Sequence, residues 1–285
     1  MIVVADSGLT KTDWRIILPN KSVIPFETKG LSPFFCNEDD YYNSLLSAFP
    51  SGINPSEVAK VFFYGSGCAG EEKGYKAQQA LQSFFEKAHT HAFSDLLAAA
   101  RSLFGDGKGV IAILGTGSNI AYYDGVNVIH RTPSLGFVLG DEGSGAYIGR
   151  QLLRAYYYKT LPVDISEMMD ERFDLELNHV LDRIYSQPKP STYLASFVPF
   201  VNENIKKPAI YSLVFSVFND MYQSHLRVIP ELKNYGLGVV GSVGYVFRDI
   251  LTKLSEEQNF KLVGFTQYPI EKLIDYHLQR EHKKL

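Results

Sequence analysis

Cysteine is nearly absent from the chain, with Cys36 and Cys68 the only two in 285 residues. Two thiols so far apart supply neither a disulfide framework nor the clustered spacing of a zinc site. Long apolar runs are missing too, and no segment approaches the roughly 20 residues needed to span a bilayer. The opening Ile2-Val3-Val4-Ala5 run meets Asp6 too soon to form a signal-peptide core. Nor does one charge dominate. The 28 basic and 31 acidic residues leave a formal net charge of -3, which gives no general attraction to a nucleic-acid backbone. A Gly-x4-Gly-Lys-Ser/Thr run is also lacking, which excludes a P-loop. The expectation is a reduced, soluble, cytoplasmic protein without nucleic-acid or membrane partners. Any phosphate site must be built locally from backbone amides and a few basic residues.

What is present is an ordinary globular balance, 45% hydrophobic and 21% charged, at a length that suggests two lobes. The N-terminal stretch alternates as paired strands do. Strands over 2–5, 14–18 and 22–27 make an antiparallel meander, whose first turn is Asp6-Ser7-Gly8-Leu9-Thr10-Lys11. A helix over 41–49, a buried strand over 61–64 and a helix over 75–85 follow. A short strand over 91–93 then leads to a helix over 96–103, with Ser94 or Asp95 as its N-cap. At 110–114 the pattern restarts with an apolar strand and the turn Gly115-Thr116-Gly117-Ser118. Strands over 120–123 and 126–130 flank the hairpin turn Asp124-Gly125. The same strand, glycine turn, strand, turn, strand unit thus occurs twice, about a hundred residues apart, an architectural duplication. From 144 to about 254 the pattern is helical apart from a buried strand over 237–240. A last strand covers 261–265, and Pro269 opens a final helix.

A hairpin turn rich in Gly, Ser and Thr can point successive amides into a concavity that holds a phosphate. Its plain alternative is a tight turn that needs positive φ. Two such turns at the same place in duplicated lobes favour a phosphate clamp. The Thr10 and Thr116 hydroxyls add donors to it, and Lys11 adds a charge. Asp6, where the first hairpin begins, either caps the turn or helps hold Mg²⁺ through water. Asp95 is either a helix N-cap or a base that takes the proton from a hydroxyl attacking a γ-phosphoryl group. In the polar run Gly140-Asp141-Glu142-Gly143-Ser144-Gly145, Asp141 can accept hydrogen bonds from two neighbouring hydroxyls and is a candidate sugar clamp.

These motifs resemble the superfamily of sugar kinases, actin and heat-shock chaperone ATPases. Within it they are most similar to the N-acetylglucosamine kinases grouped with the BadF/BadG/BcrA/BcrD-type ATPases. Asp6-Ser7-Gly8-Leu9-Thr10-Lys11-Thr12 resembles the first phosphate motif, with Ser7 and Leu9 where glycines are usual. Leu114-Gly115-Thr116-Gly117-Ser118-Asn119 resembles the second, whose trailing Asn serves the sugar. Gly140-Asp141-Glu142-Gly143-Ser144 is similar to a family-specific stretch whose Asp binds sugar hydroxyls. Ser94-Asp95, followed by Ala98-Ala99-Ala100, resembles the segment carrying the catalytic Asp, and Gly238-Val239-Val240-Gly241-Ser242-Val243 the adenosine motif. Gly30-Leu31-Ser32-Pro33-Phe34 resembles a sugar-contacting loop, with Phe34 where some relatives carry Asn.

The resemblance implies an α/β fold of two ribonuclease-H-like (actin-like ATPase) lobes hinged around an ATP cleft. The lobes would be 1–108 plus 269–285, and 109–268. It implies ATP and Mg²⁺ as cofactors, with Asp6, Ser7, Gly8, Thr10, Lys11, Gly115, Thr116, Gly117, Gly241 and Ser242 on the nucleotide and Asp6 on Mg²⁺. Ser32, Asp95, Gly117, Asn119 and Asp141 would contact the amino sugar, N-acetylglucosamine would go to its 6-phosphate, and a homodimer is expected. A kinase for N-acetylmuramic acid or another hexosamine is the nearest alternative. An ATPase activator of the same group would need a cysteine-ligated iron–sulfur cluster, which two distant cysteines do not readily build. A sugar sensor without turnover would be expected to lose the base that Asp95 provides.

Overall fold

The computed structural model describes residues 1–8, 11–130 and 132–282. The chain divides into two compact units, Met1–Asp106 with Tyr268–Leu285, and Gly107–Gln267. Each is built on a five-stranded sheet.

In the first unit, β1 (Ile2–Ser7), β2 (Lys11–Ile17), β3 (Val23–Lys29), β4 (Lys60–Gly65) and β5 (His89–Ser94) lie in the order β3-β2-β1-β4-β5. The first three strands pair antiparallel as a meander, while β4 and β5 add in parallel. Period-two alternation divides their side chains between two cores. Val3, Ala5, Trp14 and Phe63 pack on one face with Tyr41 and Leu45 of helix Glu38–Ala48 and Leu81 of helix Glu71–Phe84. Val4, Ile17 and Tyr64 pack on the other with Ala98 of helix Asp95–Phe104 and Ile270, Leu273 and Ile274 of helix Ile270–His282. The last helix begins just after Pro269, whose carbonyl accepts from Leu273 N.

The second unit holds β6 (Gly109–Leu114), β7 (Ser118–Tyr123), β8 (Val128–Ile129), β9 (Leu237–Val240) and β10 (Leu262–Thr266), in the order β10-β9-β6-β7-β8. Here β6, β7 and β8 form the antiparallel meander, and β9 and β10 add in parallel. Read from its other edge, this sheet repeats the strand order and directions of the first. The duplication legible in the glycine turns is therefore present in the topology. The strand expected over 126–130 shrinks to two residues because Asp124 Oδ1 takes the backbone amides of Val126 and Asn127, at 2.8 and 2.6 Å, into a turn. Between β8 and β9 the chain is helical, and its apolar stripes build the larger core around Ile148, Leu152, Phe200, Val214 and Phe218. Among the described residues no helix is long and apolar enough to cross a membrane.

Candidate active site

The first unit gathers carboxylates at one sheet edge. Asp6, near the end of β1, is the register partner of Asp13 on β2, so the two side chains share a face. Asp95 follows β5, two strands from β1, or roughly 10 Å at about 4.8 Å per strand. This is the C-terminal edge of the parallel strands, where open α/β sheets bind ligands. Burial pushes the Asp6 carboxyl up to about 7, and the negative charges of Asp95 and Asp13 add to that while Lys11 opposes it.

The capping question at Asp95 resolves locally. Ser94 is the N-cap, its Oγ accepting from Leu97 N at 3.3 Å. Asp95 is the first helical residue, and its Oδ1 accepts from Leu96 N at 2.8 Å.

The first glycine turn is only partly described, since Leu9 and Thr10 lie outside the described residues. Gly8 N donates to Lys11 O at 3.0 Å. The Ser7 hydroxyl is buried, 2.6 Å from Thr12 Oγ1, and it donates to Leu31 O at 2.8 Å. It accordingly braces the following loop. Lys11 Nζ lies 3.1 Å from Asp13 and 3.0 Å from Glu27 at the surface. Ser32 is buried, and its Oγ donates to Ser66 O at 3.0 Å. Phe34 is half exposed, with Lys73 Nζ 3.3 Å from its ring centroid.

In the second unit the turn is fastened to a helix. Gly115 N donates to Gly117 O, and the Gly115 and Thr116 carbonyls accept from Gly145 N at 2.8 Å and Ala146 N at 3.0 Å. Those amides open helix Gly145–Tyr157, whose N-cap Ser144 accepts from Tyr147 N. Thr116 is left exposed. Gly117 permits a close approach, because a Cβ there would stand 3.0 Å from Asp141 Oδ2. Asp141 itself adopts φ +60°, a left-handed conformation that Asp tolerates better than most residues. Burial pushes its carboxyl up, and a hydrogen bond from the Ser118 amide works against that.

Asn119 and Asp141 line one small, open recess with Ser118, Thr132 and His225. The Asn119 Oδ1 atom is itself buried and without a hydrogen-bond partner. A buried acceptor left unmatched costs roughly 1–3 kcal/mol. Beside the turn, Gly241 adopts φ +111°, and a Cβ there would lie 2.4 Å from Leu114 O. Only glycine lets helix Ser242–Val246 sit so close to the end of β6, and it leaves Ser242 exposed.

A solved structure from Porphyromonas gingivalis, of a protein provisionally named an N-acetylglucosamine kinase, matches 99% of this chain and 100% of its own, with 33% identity and a TM-score of 0.91. The chain belongs to the N-acetylglucosamine kinase-like family of sugar kinases. Two further structures share its fold. One is from Chromobacterium violaceum, also provisionally named an N-acetylglucosamine kinase, with 17% identity, 96% and 98% of the two chains covered and a TM-score of 0.63. The other is from Listeria monocytogenes, provisionally named an N-acetylmannosamine kinase, with 11% identity, 98% and 99% covered and a TM-score of 0.54. No family model and no curated protein matches the chain.

In this N-acetylglucosamine kinase-like protein, the structure brings Gly117, Asn119 and Asp141 together in one unit, and Asp6 and Asp95 at one edge of the other. Sequence reading missed Asp13, Thr132 and His225. The signal for Asp13 was available: in an antiparallel hairpin partner numbers have a constant sum, and the pair Ser7–Thr12 puts Asp13 opposite Asp6. His225 gave none. Its Nε2 lies 3.1 Å from Glu142 Oε2 and its Nδ1 2.7 Å from Thr132 Oγ1, contacts across 83 and 93 positions that no local pattern announces.

Proposed function

We propose that the protein transfers the γ-phosphoryl group of ATP to a hydroxyl of an N-acetylated amino sugar, N-acetylglucosamine at its 6-hydroxyl foremost. The observation that carries this reading is the recess lined by Asn119 and Asp141, with the Asp141 carboxylate standing against the 115–117 turn. It offers acceptors for sugar hydroxyls next to a glycine turn suited to phosphate. Phosphoryl transfer asks little covalent chemistry of a protein and depends on positioning and charge neutralisation. In this reading Asp95 accepts the proton of the attacking hydroxyl, and Asp141 and Asn119 orient the sugar. The Gly117 amide and the exposed Thr116 hydroxyl face phosphate oxygens, the Gly8 and Gly115 amides being held within their own turns, while Gly241 and Ser242 serve the adenosine. Ser7 and Ser32, both buried, hold the loops that carry these contacts.

The carboxylates around Asp6 suit a magnesium ion. Among the described residues no three ligand-type side chains could hold a metal by themselves. Asp6 therefore fits an ion carried by the nucleotide and reached through water. When bound, the ion neutralises phosphate charge, and its field would draw the Asp6 carboxyl back toward its ionised form.

The deciding experiment is ATP consumption with Mg²⁺ on N-acetylglucosamine, N-acetylmannosamine, N-acetylmuramic acid, glucosamine and glucose. Turnover is expected to be strongest on N-acetylglucosamine, with the phosphate found on its 6-oxygen by NMR. Silence on every sugar, with ATP still bound, would refute the reading.

A further inference from the structure

Thr132 and His225, which line the recess, belong to a hydrogen-bonded chain that the reaction outlined above leaves unused: Thr132 Oγ1, the His225 ring and, behind it, Glu142 Oε2, linked at 2.7 and 3.1 Å. It joins three separate stretches. Thr132 follows β8, Glu142 sits in the loop that presents Asp141, and His225 caps the C-terminal end of helix Pro208–Ser224. The His225 and Glu142 side chains are only 15% and 17% exposed, so water competes little for these bonds.

The polarity of each bond follows from what each group can donate. A carboxylate only accepts, so His225 Nε2 carries its hydrogen toward Glu142. When the imidazole is neutral its other nitrogen is an acceptor, and Nδ1 then takes the one hydrogen of the Thr132 hydroxyl. Thr132 Oγ1 consequently has only lone pairs left to offer the recess. The Asp141 carboxylate, which lines the same recess, is an acceptor as well.

We propose that Glu142–His225–Thr132, with the imidazole neutral, is a specificity device that locks Thr132 Oγ1 as a hydrogen-bond acceptor. The recess thereby selects a sugar substituent that presents a donor, a hydroxyl or an amide N–H, and rejects one that can only accept. This rests on the sugar-kinase reading. Sites built from fixed, buried polar groups discriminate well because an analogue lacking the matching group leaves them unpaired.

The test compares kcat and KM of wild type, Thr132→Val, Thr132→Ser and Glu142→Gln on N-acetylglucosamine and its singly deoxygenated or O-methylated analogues. For wild type, one analogue should lose about ten- to hundredfold in kcat/KM. Thr132→Val should lose a similar factor on the intact sugar, mostly through KM, and lose little more on that analogue. Thr132→Ser keeps the hydroxyl and should restore the wild-type pattern. Glu142→Gln releases the ring from its fixed polarity and should narrow the discrimination on the same analogue. An unchanged KM in Thr132→Val, or mutation and deoxygenation penalties that simply multiply for every analogue, would overturn the device and leave the kinase reading intact. If Thr132→Val does not melt cooperatively, Glu142→Gln, a near-isostere, decides on the same criterion. A wild type inert on the whole panel would overturn the kinase reading and this inference together.

Discussion

Asp95 can be tested cleanly because its neighbour does the capping. With Ser94 holding Leu97 N, Asp95→Asn should keep the wild-type melting temperature within a degree or two while kcat falls by about 10²–10⁴-fold. Near-normal turnover would reduce Asp95 to a helix-start residue. Asp6 makes a prediction about pH. Its carboxyl releases the proton near 3.8 when unfolded and near 7 when folded. Between those values the folded state binds more protons, so this group's contribution to stability is complete at low pH and is lost as pH rises toward 7. Asp6→Asn removes that loss. Its melting temperature relative to wild type should be higher at pH 8, and the margin should close toward pH 4; an equal margin at both would be inconsistent with the buried acid. The placement of Asp6 near a strand end, of Asp95 after a strand and of Asp141 in a polar loop was legible in the sequence from the local pattern. His225 was not, because its role depends on tertiary neighbours alone.

Among the elements, helix Ile270–His282 is held by an aromatic and hydrogen-bonded lock. The His277 ring stacks on Phe62 at 3.8 Å between centroids, and its Nε2 lies 2.9 Å from Tyr64 Oη, which accepts from Arg101 at 2.7 Å. Burial, then the charges of Arg101, Arg280 and His91, depress the His277 pKa to about 3. An unfolded histidine protonates near 6.5, so below that value the unfolded state binds the extra proton. The His277 contribution is therefore full above 6.5 and is lost as pH falls toward 3. His277→Gln should be less stable than wild type at pH 7, with the gap narrowing by pH 4 in urea melts. Gly241→Ala should cost about 1–3 kcal/mol from its backbone conformation alone, and more from the contact with Leu114 O, visible as a lower melting temperature.

Strand positions were readable to within a few residues because alternation reports burial directly. Helix Gly136–Leu139 was not expected, since four residues carry no periodicity to read. The shortening of β8 was hidden because the deciding contacts of Asp124 are side chain to backbone.

For the molecule as a whole, the second unit is one continuous stretch with its own large core. Residues 107–267 expressed alone should melt cooperatively and show strongly helical circular dichroism; a non-cooperative, dye-binding state would argue against its autonomy. The repeated sheet was legible because a glycine turn marks the same joint in both copies. The packing of the helices between β8 and β9 was not, because apolar stripes say which side is buried but not against what. The first unit is discontinuous, and Ile270, Leu273 and Ile274 complete one of its cores. During synthesis that core stays open while the ribosome makes the intervening 107–267 stretch, roughly ten to thirty seconds at about 5–20 residues per second. The middle of the chain is thus the first part able to mature, and the nascent N-terminal sheet is the segment that a chaperone would have most reason to shield.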